Sequence, residues 1–130
     1  MPKYSNNGNC KFNISYHIVW IPKYRKRILI NKIEDRLKEL IKYKTLQLGI
    51  YIGAIECMPD HIHLFIKSKP TLSISNIVKT LKGYSSRMLR IEFIQCNKYK
   101  CLWTLGYFCE TIGNITGATI IKYIENQKLV

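Results

Sequence analysis

No hydrophobic run in the 130-residue chain approaches the ~20 residues needed to span a bilayer. Residues 1–10 are polar and do not resemble the apolar core of a signal peptide. A soluble, cytoplasmic protein with no membrane partner is expected. Cysteine offers no framework either: Cys10, Cys57, Cys96, Cys101 and Cys109 are odd in number and contain no C-x-x-C pair. That argues against a zinc knuckle and against a secreted disulfide scaffold, and it predicts free, buried thiols. Internal repeats, low-complexity tracts and dividing linkers are also missing, so residues 1–130 read as one domain. A hydrophobic content of 47% supplies a core of ordinary size.

Acidic side chains are scarce as well. Eight Asp and Glu stand against 21 Lys and Arg, leaving a net charge of +13. The excess is uneven: residues 1–33 and 61–109 carry +7 each, whereas 34–60 carry −1 and 110–130 are neutral. A field of one sign concentrates polyanions and gives salt-dependent binding to phosphates, so nucleic acid is the first partner to consider. A lysine-rich surface kept for solubility has the same composition.

Residues 11–21 alternate, with Phe12, Ile14, Tyr16, Ile18 and Trp20 on one side and Lys11, Asn13, Ser15 and His17 on the other, which is the period of a half-buried strand. Asn31 to Leu48 repeats apolar residues at helical spacing and ends at Gly49, a plausible cap. Two strands, Ile50 to Cys57 and His61 to Ser68, form a hairpin across Met58-Pro59-Asp60. In the second, Ile62, Leu64 and Ile66 share a face, leaving His61, His63, Phe65 and Lys67 on the other. Ser73 is placed to cap a helix to about Ile91, with Ile74, Ile77, Val78, Leu81, Met88 and Leu89 inward and Lys79, Lys82, Arg87 and Arg90 outward. A loop containing Asn97, Lys98 and Lys100 leads to a strand at about Leu102 to Thr111, and Gly113-Asn114 turns the chain. A last helix runs from a Thr116 cap to about Gln127, stapled by Ile115 and Ile120. The order is a split βαβ, an α+β ferredoxin-like or RRM-like fold. It places an antiparallel sheet under two helices, with a further C-terminal helix and an open sheet face bearing the histidines.

His61 and His63 project from one side of an extended strand about 7 Å apart, so both imidazoles can reach one cation. Tyr123 and Gln127 lie four apart on a helix, with Cβ atoms about 5–6 Å apart, and can address one spot. Together they offer two nitrogen ligands, one oxygen ligand and a nucleophile for metal-assisted phosphoryl transfer. A phenol with a pKa of about 10 is ionised in only about one molecule in a thousand at neutral pH, so Tyr123 needs a Lewis acid nearby. Taken singly, each of the four has a bland reading: strand histidines, a packed helix tyrosine among nine, a solvated glutamine. His17 has no motif partner and reads as structural or as a phosphate contact. Glu56 and Asp60 are placed to support the histidines, to serve as alternative oxygen ligands, or simply to face solvent.

Met58-Pro59-Asp60-His61-Ile62-His63 with Tyr123-Ile124-Glu125-Asn126-Gln127 resembles the small single-tyrosine transposases of the HUH nuclease superfamily, the insertion-sequence type. Tyr16-His17-Ile18-Val19-Trp20 with Lys23-Tyr24-Arg25, the segment Ile77 to Gly83, and Trp103 with Gly106-Tyr107-Phe108 extend the likeness over nearly the whole chain. Thr104-Leu105 departs from it, since a basic residue usually precedes Gly-Tyr-Phe. The resemblance implies the same fold, cleavage and rejoining of single-stranded DNA at element ends through a 5′-phosphotyrosine on Tyr123, and Mg²⁺ or Mn²⁺ on His61, His63 and Gln127. It further implies hairpin recognition and a homodimer whose active sites are shared between subunits. Lys23, Arg25, Lys26 and Arg27, with Lys79, Lys82, Arg87 and Arg90, are candidate contacts to the DNA backbone. Tyr24, Tyr84 and Tyr107 are candidates to stack on bases. The competing readings are a domesticated nuclease of the same kind and a non-catalytic RRM-like module. A histidine-triad phosphohydrolase fits less well, because Phe65 stands where that signature needs a further histidine.

Overall fold

The structure, a computed structural model, describes residues 14–113. Four strands and three helices follow in the order β1 (Ile14–Trp20), α1 (Asn31–Leu48), β2 (Tyr51–Met58), β3 (His61–Ser68), α2 (Ile74–Glu92), α3 (Ile94–Asn97) and β4 (Phe108–Ile112). The sheet order is β2-β3-β1-β4, and all three pairings are antiparallel. This is the expected split βαβ; the C-terminal helix, with Tyr123 and Gln127, lies outside the described residues.

Alternation decides which side chains meet the helices. Ile18 pairs with Leu64 and Trp20 with Ile62, so these residues share a face. They join Ile33, Leu37, Leu40 and Ile41 of α1 and Ile77, Val78, Leu81 and Leu89 of α2 in a single core. One end of each long helix is capped as its sequence dictates. Ser73 Oγ accepts the Asn76 N–H, an N-cap for α2. Gly49 closes α1 at φ 72°, where the Gly49 N–H donates to Leu46 O and the Ile50 N–H to Thr45 O, the paired bonds of a Schellman end.

Four features depart from the expected pattern. The buried face of α2 includes Ser85 and Ser86, because the segment before β4 packs there. Ser85 Oγ accepts from Trp103 Nε1 (3.1 Å) and Ser86 Oγ from the Leu102 N–H (3.0 Å), while Trp103 packs edge-on against Trp20. That anchoring keeps residues 102–107 out of the sheet apart from a bridge between Pro22 and Trp103, so β4 starts only at Phe108. Finally, residues 94–97 form a helical turn where a loop was expected, and Cys101 is exposed rather than buried.

Candidate functional site

The face of the sheet opposite α1 and α2 is written in rows by the strand register. Glu56, His63, Val19 and Phe108 form one row; Ala54, Phe65, His17 and Glu110 form the next. His61 stands across from Met58 at the hairpin end. The face is not the open surface that alternation alone suggests. His17 and Phe65 are fully buried and His63 nearly so; the His17 ring stacks on Phe65 (centroids 4.6 Å apart) and meets the edge of Phe108.

His61 and His63 lie side by side as expected, with ring centroids 4.8 Å apart and planes nearly perpendicular. Each presents its Nδ1 to a neighbour. His61 Nδ1 is 2.7 Å from Asp60 Oδ1, and the other oxygen of Asp60 accepts from Arg25 Nε at 2.9 Å. His63 Nδ1 is 3.0 Å from His17 Nε2, and His17 Nδ1 is 3.2 Å from Glu110 Oε1. With Nδ1 occupied in both rings, Nε2 is the nitrogen each would turn to a cation, and a partner on the opposite ring nitrogen is the usual support of a metal-bound histidine. The pair therefore fits part of a divalent-cation site. Among the described residues no third His, Cys, Asp or Glu joins them in a group that could hold a metal; Gln127, the third ligand that the resemblance implies, lies outside the described residues.

Electrostatics agree with this arrangement. Burial tends to raise the Asp60 pKa, but hydrogen bonds from His61 and Arg25 outweigh it and hold the carboxyl below its ordinary value, ionised and able to accept from both. Burial lowers the His17 pKa against the opposing pull of Glu110, which favours a neutral imidazole.

Backbone geometry explains how Arg25 arrives. Tyr24 (φ 59°) and Arg25 (φ 51°) are both left-handed, a conformation that bulky side chains rarely hold. The Leu29 N–H donates to Pro59 O at 3.0 Å, tying this segment to the hairpin tip that carries Asp60. Arg25 thus supports Asp60 as well as contributing charge, while Lys26 and Arg27 remain exposed. Lys82 is also committed within the protein: its Nζ donates to the carbonyls of Thr104 (2.6 Å), Leu105 (3.3 Å) and Gly106 (2.9 Å). Arg90 donates to Ser86 O and Tyr99 O, whereas Lys79 and Arg87 are exposed. Of the aromatic candidates, Tyr24 is exposed, and Tyr84 packs on Tyr43 beneath Lys44.

Sequence reasoning left His17 without a partner and missed Glu110 and the link from Arg25 to Asp60. The available signal was topological. In a split βαβ sheet β1 lies beside β3, and His17 belongs to the side of β1 opposite the core, the side on which β3 carries its histidines.

Comparison with known proteins gives concordant results. The sequence profile of the family "Transposase IS200 like" matches residues 10–127. The ISDra2 transposase TnpA of Deinococcus radiodurans is 34% identical over 119 residues, covering 89% of this chain and 85% of the relative. The transposase for insertion sequence element IS200 of Salmonella typhimurium is 35% identical over 127 residues, covering 92% and 80%. A crystal structure from Deinococcus radiodurans R1, assigned as a transposase, superposes with a TM-score of 0.76 at 33% identity over 95% of this chain and 96% of that one. A REP-associated tyrosine transposase bound to a REP hairpin shares the fold, with a TM-score of 0.65 at 16% identity over 95% and 73%.

Proposed function

Because the chain belongs to the IS200-like transposase family, we propose that it cleaves and rejoins single-stranded DNA at the ends of a mobile element through a 5′-phosphotyrosine on Tyr123. The observation that carries this reading is the placement of His61 and His63, adjacent on one face with both Nδ1 atoms engaged. A divalent cation, Mg²⁺ or Mn²⁺, held by His61, His63 and Gln127 would supply Lewis acidity toward a phosphodiester oxygen.

The protein's own share is nucleophile and orientation. The Tyr123 oxygen attacks the scissile phosphorus in line; the bond to the 3′-oxygen breaks, and that oxygen takes up a proton as the phenol loses one. One phosphoester replaces another, so a second 3′-hydroxyl can reverse the step and join new strands without an external energy source. Exposed Lys26, Arg27, Lys79 and Arg87 would follow the DNA backbone. DNA carrying hairpins near the element ends is the proposed substrate, and a homodimer with shared sites the proposed assembly.

Tyr123→Phe is expected to retain binding to a hairpin-bearing single strand and to give no denaturant-resistant adduct with Mg²⁺ or Mn²⁺, scored on a denaturing gel against the parent protein. An adduct that persists in the variant would remove Tyr123 from its role. A parent protein that binds such strands but forms no adduct with either metal would favour the non-catalytic RRM-like module.

A further inference from the structure

We infer that His17 and Glu110 are positioning residues for His63, linked in a row of hydrogen bonds that fixes which ring nitrogen of His63 carries its proton. The inference builds on the proposed metal role of His63 and assigns function to two residues on other strands. His17 is wholly buried on the central strand β1, stacked on Phe65 with planes 8° apart and nearly parallel to His63 at 9°. Its ring cannot swing away without breaking that stack.

The proton order follows from donor chemistry. An ionised carboxylate only accepts, so the contact from Glu110 Oε1 to His17 Nδ1 at 3.2 Å makes Nδ1 the protonated nitrogen of His17. A neutral imidazole has one donor and one acceptor, which leaves His17 Nε2 as the acceptor. Across 3.0 Å, His63 Nδ1 must then donate. The row reads His63 Nδ1–H to His17 Nε2, then His17 Nδ1–H to Glu110 Oε1. His63 is thereby held in the tautomer whose Nε2 offers a lone pair, the form a metal ligand requires. His61 receives the same orientation from a single adjacent residue, Asp60. For His63 the carboxylate lies two strands away, on β4, and His17 spans the gap.

The test uses two measurements. In the metal-free parent, long-range ¹H–¹⁵N spectra of the imidazoles should show His63 protonated at Nδ1; protonation at Nε2 would overturn the inference. In the absence of DNA, Mn²⁺ affinity read by electron paramagnetic resonance should fall about 10- to 100-fold in Glu110→Ala, at an unchanged thermal midpoint. Glu110→Gln keeps an oxygen acceptor and should restore affinity to within a few-fold of the parent. His17→Phe retains a ring against Phe65 but has no acceptor, and should lose affinity as Glu110→Ala does. If it does not fold, the two Glu110 variants decide. Glu110→Ala binding Mn²⁺ as tightly as the parent would sink the assignment. A parent that binds no Mn²⁺ would instead overturn the metal reading, while the metal-free spectra would still decide the proton order.

Discussion

At the scale of single residues, burial decides which groups are reactive. Cys57 is 7% exposed at the end of β2, and burial pushes its thiol up to about 12, so only ~10⁻⁴ of it is thiolate at pH 8. Cys96 is fully buried and also raised, whereas Cys101 is exposed. Brief iodoacetamide treatment of the native protein at pH 8 is therefore expected to label Cys101 and spare Cys57 and Cys96 until urea is added, as peptide mass spectrometry would show. Early labelling of Cys57 would mean that the α1 and β2 contact opens readily. The same scale shows what the sequence concealed. His61 and His63 were legible because two-residue spacing is local. His17 was not, because its partners His63 and Glu110 lie 46 and 93 positions away.

At the scale of elements, boundaries followed periodicity wherever a strand or helix faced one core. The limits of α1, β3 and α2 were legible to within a residue or so, and the caps at Ser73 and Gly49 were readable because each satisfies backbone groups with a local residue. β4 was not, because Trp103 and Leu102 bond to serines of α2 rather than to a strand. Lys82 shows the same limit. Periodicity puts it on the basic outer face of α2, yet its ammonium binds three consecutive carbonyls, and its burial lowers its pKa. Lys82→Met is expected to cost about 1–3 kcal/mol in urea denaturation, the loss of charged hydrogen bonds. The slope of log affinity against log salt for single-stranded DNA should not change. Lys79→Ala should leave stability nearly unchanged and reduce that slope by about 0.7, the contribution of one phosphate contact. Equal salt slopes for both variants and the parent would remove Lys79 from the DNA path.

At the scale of the whole molecule, composition and topology carried the reading: a net charge of +13 and the β2-β3-β1-β4 order. Subunit arrangement is a different matter, since a chain's own alternation says nothing of a second copy. If the tyrosine of one subunit completes the histidine site of another, a mixture of Tyr123→Phe and His61→Ala, each inactive alone, should form a DNA adduct, and the adduct should sit on the His61→Ala polypeptide. An inactive mixture, with exchange of subunits verified, would place both halves in one subunit. The sheet order also bears on when the site takes shape. β1 belongs to the first part of the chain and β4 to the last described part, and the central strand needs both neighbours to complete its row of hydrogen bonds. A polypeptide still emerging from the ribosome already holds both members of the His-x-His pair, but it lacks the closing carboxylate until translation has passed residue 110.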